Sequence, residues 1–141
     1  MTDGEIAKAA LMKGNAVVVA KDGAVVLTRT GRGIRPLYEI VSNPEYGSLL
    51  AGAAVADKVV GKAAALLCAA ARVKEVYAAL LSEPAANVLA AKAIPFACGE
   101  KVPLVLNRTR TDICPIEKLA ASIDTPAILL EAVAKFLARM E

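Results

Sequence analysis

Residues 52–82 read GAAVADKVVGKAAALLCAAARVKEVYAALLS, and the way this stretch divides into helix and strand decides the fold. From Lys58 to Ala71 it holds good helix formers and small residues with no Pro, so a helix is expected there. Asp57 stands just before it and can accept a hydrogen bond from the first free backbone N–H groups, which makes it the expected N-cap. Beyond Arg72 the pattern changes to alternation, with Val73, Glu75 and Tyr77 set against Lys74, Val76 and Ala78. Leu80 and Leu81 extend the apolar run until Ser82-Glu83-Pro84 stops it, so a strand over Val73 to Leu81 follows. A helix feeding an apolar strand through a short connection is half of a parallel crossover unit. The start of that helix is the expected ligand site, because its orphan N–H groups and positive dipole end attract anions.

Working outward to the N-terminus, Thr2 and Glu5 are spaced as a capping box, and Ile6, Ala9, Ala10 and Leu11 continue a helix that ends near Lys13-Gly14. Ala16 to Ala20 is an apolar run short enough for a buried strand. Lys21-Asp22-Gly23 turns it, and Ala24 to Thr30 returns as the second strand of a hairpin. Residues 30–36, TGRGIRP, form a basic loop beside Arg29 without the spacing of a phosphate-binding P-loop. It reads as a solvated turn or as a ligand contact. A short helix through Leu37 to Val41 closes at Asn43-Pro44, and Gly47 and Gly52 argue against a long element after it.

On the C-terminal side, Ser82 can cap a helix with Glu83 and Pro84 in its first turn, running to about Ala93. Ile94 to Cys98 and Val102 to Asn107 read as strands joined by a turn at Gly99-Glu100-Lys101, although Pro95 and Pro103 are poor ladder residues. Whether the last strand runs parallel or antiparallel to Val73–Leu81 stays open. With it stays open whether Arg108 and Arg110, or the loop residues Arg29, Arg32 and Arg35, line the pocket. Cys114-Pro115-Ile116-Glu117 opens a helix to about Ser122. Thr125-Pro126 opens the last helix, with Ile128, Leu129, Val133, Phe136 and Leu137 on one face. Strands separated by helices favour a parallel core with helices on both faces, and the hairpins make the sheet mixed.

Composition narrows the function. The 141 residues are 57% apolar, with a formal charge of +3, which suits one domain with an ample core of small side chains. Five aromatic residues, three Tyr and two Phe, supply little base-stacking surface, so a nucleic-acid partner is disfavoured. Asp57, Lys58 and Lys62 interrupt the best membrane-span candidate. Asp3 and Glu5 stand where a secretory signal would be basic and apolar. Cys68, Cys98 and Cys114 are odd in number and scattered. They read as free thiols in a reducing, cytoplasmic setting.

The succession of elements resembles the cytidine deaminase-like fold. In the deaminases the first crossover helix opens with His-Ala-Glu or Cys-Ala-Glu, and here Gly61-Lys62-Ala63 stands in that place. Their next strand ends in Ser-Pro-Cys-x-x-Cys, and here Ser82-Glu83-Pro84-Ala85-Ala86-Asn87-Val88-Leu89 stands there. The chain more closely resembles a small prokaryotic family of unknown function placed in that fold, DUF1893. Three stretches carry the likeness: Asp57-Lys58-Val59-Val60-Gly61-Lys62-Ala63, Asn107-Arg108-Thr109 and Cys114-Pro115-Ile116-Glu117. The resemblance implies a three-layer α/β/α domain over residues 1–141 with a mixed five-stranded sheet. It also implies no zinc chemistry. The deaminases hold zinc with a His or Cys plus two Cys and shuttle protons with a Glu. This chain has no His, Ala85 and Val88 replace the paired cysteines, and Ala63 replaces the Glu. No metal or cofactor is therefore expected.

What remains is Asp57, Lys58, Gly61, Lys62, Glu83, Cys114 and Glu117 around the expected cleft. Lys58 and Lys62 are four apart and would share a helical face, either solvated or holding an anion. Cys114 is placed to cap, to touch a ligand, or to act as a thiol whose pKa a helix start lowers, with Glu117 as capping partner or as acid or base. Glu83 suits either a ligand contact or the helix dipole. The expected function is binding of a small anionic or nucleotide-like molecule. The alternatives are a cysteine-dependent enzyme using Cys114, and a structural or assembly subunit, with a homodimer among the expected partners.

Overall fold

The structure is a computed structural model that describes residues 1–140. Helix α1 (Asp3–Leu11) begins with the expected box, in which Thr2 Oγ1 accepts from the Glu5 N–H and Glu5 accepts from the Thr2 N–H. Strands β1 (Val17–Lys21) and β2 (Ala24–Arg29) form the expected hairpin. Asp3 ties α1 to the hairpin tip by accepting from the Gly23 and Asp22 N–H groups. Helix α2 (Arg35–Val41), a 3-10 turn at Pro44–Tyr46 and the one-turn α3 (Gly47–Leu50) lead into the centre of the molecule.

There the expectation for residues 54–60 fails. Ala54–Val60 is a strand, β3, pairing antiparallel with β1 and parallel with β4 (Glu75–Ser82). Helix α4 starts at Lys62 and ends at Ala70. Asp57 is therefore a strand residue and not an N-cap, and Lys58 and Lys62 do not share a helical face. The physical reason is that the β-branched Val55, Val59 and Val60 suit a strand that pairs with β4 throughout and with β1 over Ala54–Asp57, and Gly61 then breaks it. An Asp and a Lys at good capping spacing could not outweigh a slot in the middle of a sheet.

The second hairpin is also absent. After α5 (Glu83–Ala91), a single strand β5 (Phe96–Val102) runs through Gly99-Glu100-Lys101, parallel to β4. Pro95 and Pro103 flank it and leave the ladder intact. Gly99 is needed for close approach, since a Cβ there would lie 2.9 Å from the Ala79 carbonyl oxygen. Of the strand expected over 102–107, Val102 is the last residue of β5 and the remainder holds only an isolated bridge between Leu106 and Ile113. The mixed five-stranded sheet has the order β2-β1-β3-β4-β5.

Helices α6 (Pro115–Ala120) and α7 (Pro126–Arg139) complete the chain. On α7, Leu129, Val133 and Leu137 are buried, whereas Ile128 is exposed. Alternate residues of the strands feed two cores. Val17, Val19, Val55, Val76 and Ala78 face α4 and the helices around it, while Val18, Ala20, Ala54, Ala56 and Tyr77 face α1. Every residue of α4 from Ala63 to Cys68 is buried, as expected of a helix enclosed on all sides. Its alanines let sheet and neighbouring helices come close. Among the described residues no helix is long and apolar enough to cross a membrane.

Candidate functional site

Because β3 and β4 are parallel, with Val60 opposite Leu81, their carboxyl ends lie at one edge of the sheet. Gly61 follows β3 and Ser82 is the last residue of β4, so α4 and α5 both start there. Open α/β sheets bind ligands beyond this edge. At α5, Ser82 Oγ accepts from the Ala85 N–H at 3.2 Å, and Glu83 is the exposed first helical residue.

At α4 the cap comes from far along the chain. Glu117, on α6, accepts from the Lys62 N–H at 2.6 Å through Oε1 and from the Ala63 N–H at 3.2 Å through Oε2. The negative charge that a helix start attracts is thus already supplied by the protein. Gly61 makes room for it, since a Cβ would stand 2.2 Å from Glu117 Oε1. Glu117 is 9% exposed. Burial pushes its carboxyl above the usual range, against the pull of the two amides and the Lys62 charge. Expected as a box for its own helix α6, Glu117 caps α4 instead.

A groove of about 660 Å³ opens beside this clamp, within the size range of small-molecule sites. Leu66, Val88, Leu104 and Ile113 give it aliphatic walls. Lys62, Glu117, Lys118 and Asp124 make one end polar, and Asn87 and Lys92 come from α5 and its end. Lys62 Nζ donates to the Ala121 carbonyl at 3.1 Å and pairs with Asp124 at 2.9 Å. Lys118 pairs with Asp112, whose carboxyl is thereby held below its usual range.

Of the expected site residues, Lys62 and Glu117 line the groove, and Gly61 touches Glu117. Asp57, Lys58, Glu83 and Cys114 do not line it, nor do Arg29, Arg32, Arg35, Arg108 and Arg110. Asp57 is buried in β3, facing the α4 core, where desolvation raises its carboxyl to about 7 against weak help from the Val59 and Lys58 N–H groups. Nearby Cys68 has its thiol pushed up by burial and by Asp57. Lys58 is an exposed strand residue. Arg29 donates to the Tyr46 hydroxyl. Cys114 is half-buried at the N-cap of α6, where its side chain caps nothing, and both oxygens of Glu117 are engaged with α4. Among the described residues no group of three or more His, Cys, Asp or Glu side chains is placed to hold a metal ion. No local sequence pattern points to Leu66, Val88, Leu104, Ile113 or Asp124, since they converge on one groove only in the folded chain.

The family model described as "Domain of unknown function (DUF1893)" matches residues 6–137. The chain belongs to the DUF1893 family. It is similar to a crystal structure of a DUF1893 family protein, TM1506, from Thermotoga maritima. The two share 25% sequence identity with a TM-score of 0.82, over 96% of this chain and 92% of that one. No curated protein sequence matches this chain. Within this DUF1893 domain, Gly61, Lys62, Glu117 and every groove residue lie inside the matched span.

Proposed function

We propose that the protein binds a small anionic or nucleotide-like molecule in the groove at the starts of α4 and α5, on a cytidine deaminase-like scaffold that spans the chain and lacks the zinc motifs. The observation that carries this reading is a cavity of about 660 Å³ with aliphatic walls and a lysine-bearing polar end. It lies at the edge where two parallel strands hand over to two helices. The mixed five-stranded order supports the scaffold resemblance. The ligand's anion meets side chains, because Glu117 occupies the α4 amides. A Cys114-dependent enzyme gains nothing from the geometry, since Glu117 is committed elsewhere.

Thermal unfolding of the full chain with nucleoside monophosphates, sugar phosphates, alkyl phosphates and alkyl carboxylates tests the reading. A binder at a hundredfold excess over Kd raises Tm by roughly 5–10 °C. Ala91→Trp, an exposed α5 position on the groove wall, abolishes that rise while leaving the unliganded Tm unchanged. Absence of stabilisation by any member of the panel would overturn the proposal.

A further inference from the structure

Resting on the groove reading above, we infer that Asp124 is an internal latch on Lys62, and that the groove's ligand is an apolar-bodied molecule with one carboxylate or phosphate group that displaces it. The Lys62 side chain is 14% exposed, whereas its carboxylate partner Asp124 is 89% exposed. The ammonium is therefore nearly desolvated at the groove wall, and its counter-ion is almost fully hydrated on the 121–125 connection. Such a pair is held weakly, because the exposed partner regains its water on release. The Ala121 carbonyl keeps hold of Nζ at 3.1 Å, so the ammonium stays aimed when Asp124 leaves. Glu117 cannot serve as the replaceable anion, because it is buried and bound by two backbone amides. Lys118 is a poorer anchor, since its side chain is 52% exposed and solvent screens it.

The rest of the groove fixes the class of the ligand's body. Leu104 and the half-buried Val88 and Ile113 supply the groove's exposed aliphatic surface. Among the described residues no aromatic side chain lines the groove, so stacking of a base is not provided for, while an aliphatic body of moderate length is well matched.

Isothermal titration of the full chain with octanoate, octyl phosphate, 1-octanol and adenosine monophosphate tests this. Octanoate or octyl phosphate binds saturably, and whichever is tighter identifies the head group; 1-octanol and the nucleotide bind at least tenfold more weakly. Asp124→Asn removes the competitor and tightens the anion by about two- to fivefold. Lys62→Gln weakens it by about tenfold or more, with circular dichroism confirming that the variant is folded. A merely structural Lys62–Asp124 pair would leave Asp124→Asn unchanged or weaker, and that result overturns the latch while the groove reading stands. Tighter binding of adenosine monophosphate than of octyl phosphate overturns the ligand class alone. Failure of every probe and of the phosphate panel removes the groove reading itself.

Discussion

Gly61 shows how much can rest on a missing side chain. Its place is taken by Glu117, whose carboxylate closes the start of α4 through two N–H groups. Gly61→Ala puts a methyl group 2.2 Å from Glu117 Oε1 and 2.3 Å from its carboxyl carbon, so the clamp must open. The expected loss is about 2–4 kcal/mol, from crowding and from charge-assisted hydrogen bonds given up in a buried place, read as a lower urea midpoint. In a double-mutant cycle, Gly61→Ala should cost far less on a Glu117→Ala background. Equal costs on both backgrounds would show that the glycine serves the backbone and not the clamp. Both residues were visible in the sequence as site candidates. Their pairing was not, because local capping rules look three residues ahead and this cap reaches back 55. Asp57 misled for the converse reason: it satisfied the local rule for an N-cap, and tertiary placement in β3 overrode it. Ser82 satisfied the same rule and does cap α5, so Ser82→Ala should cost about 1 kcal/mol by chemical denaturation.

At the scale of elements, β5 is the instructive one. Gly99-Glu100-Lys101 has the composition of a hairpin turn, yet these residues continue one strand alongside β4. Edge strands and turns draw on the same residues: charges and glycine protect an open edge as readily as they bend a chain. What separates the two cases is the neighbour, and Gly99 lies against the Ala79 carbonyl. Gly99→Ala is therefore expected to destabilise by about 1–3 kcal/mol in thermal or urea unfolding, since the atom it meets is backbone and cannot rotate away. A turn glycine with open space around it would show no such crowding. The elements that were legible, α1, the first hairpin, α2, α5, α6 and α7, have ends written in adjacent residues. Those misread, β3 and β5, owe their state to the strands beside them.

For the whole molecule, the decisive arrangement is a carboxyl group inside the sheet. Asp57 is 7% exposed, and its carboxyl is raised from 3.8 to about 7 by desolvation. A raised folded-state value means that the native protein holds the proton more tightly than the unfolded chain does. Stability from this group is fully present below about pH 4 and falls as pH rises toward 7. A gap of this size corresponds to roughly 4 kcal/mol at most. Glu117 acts in the same direction through its own burial. Asp3, Glu5 and Asp112 act oppositely: backbone N–H groups hold the first two low and Lys118 holds the third low, so their contributions fade as the solution becomes strongly acid. The two sets together place maximal stability on the acid side of neutrality. The urea midpoint of the native sequence should be higher at pH 5 than at pH 8. Asp57→Asn, which keeps the shape and removes the charge, should raise the midpoint at pH 8 and remove most of the difference, leaving the share that belongs to Glu117. An unchanged pH dependence in that variant would mean that Asp57 is charged and satisfied in the native state, and that the acid-side optimum has another source.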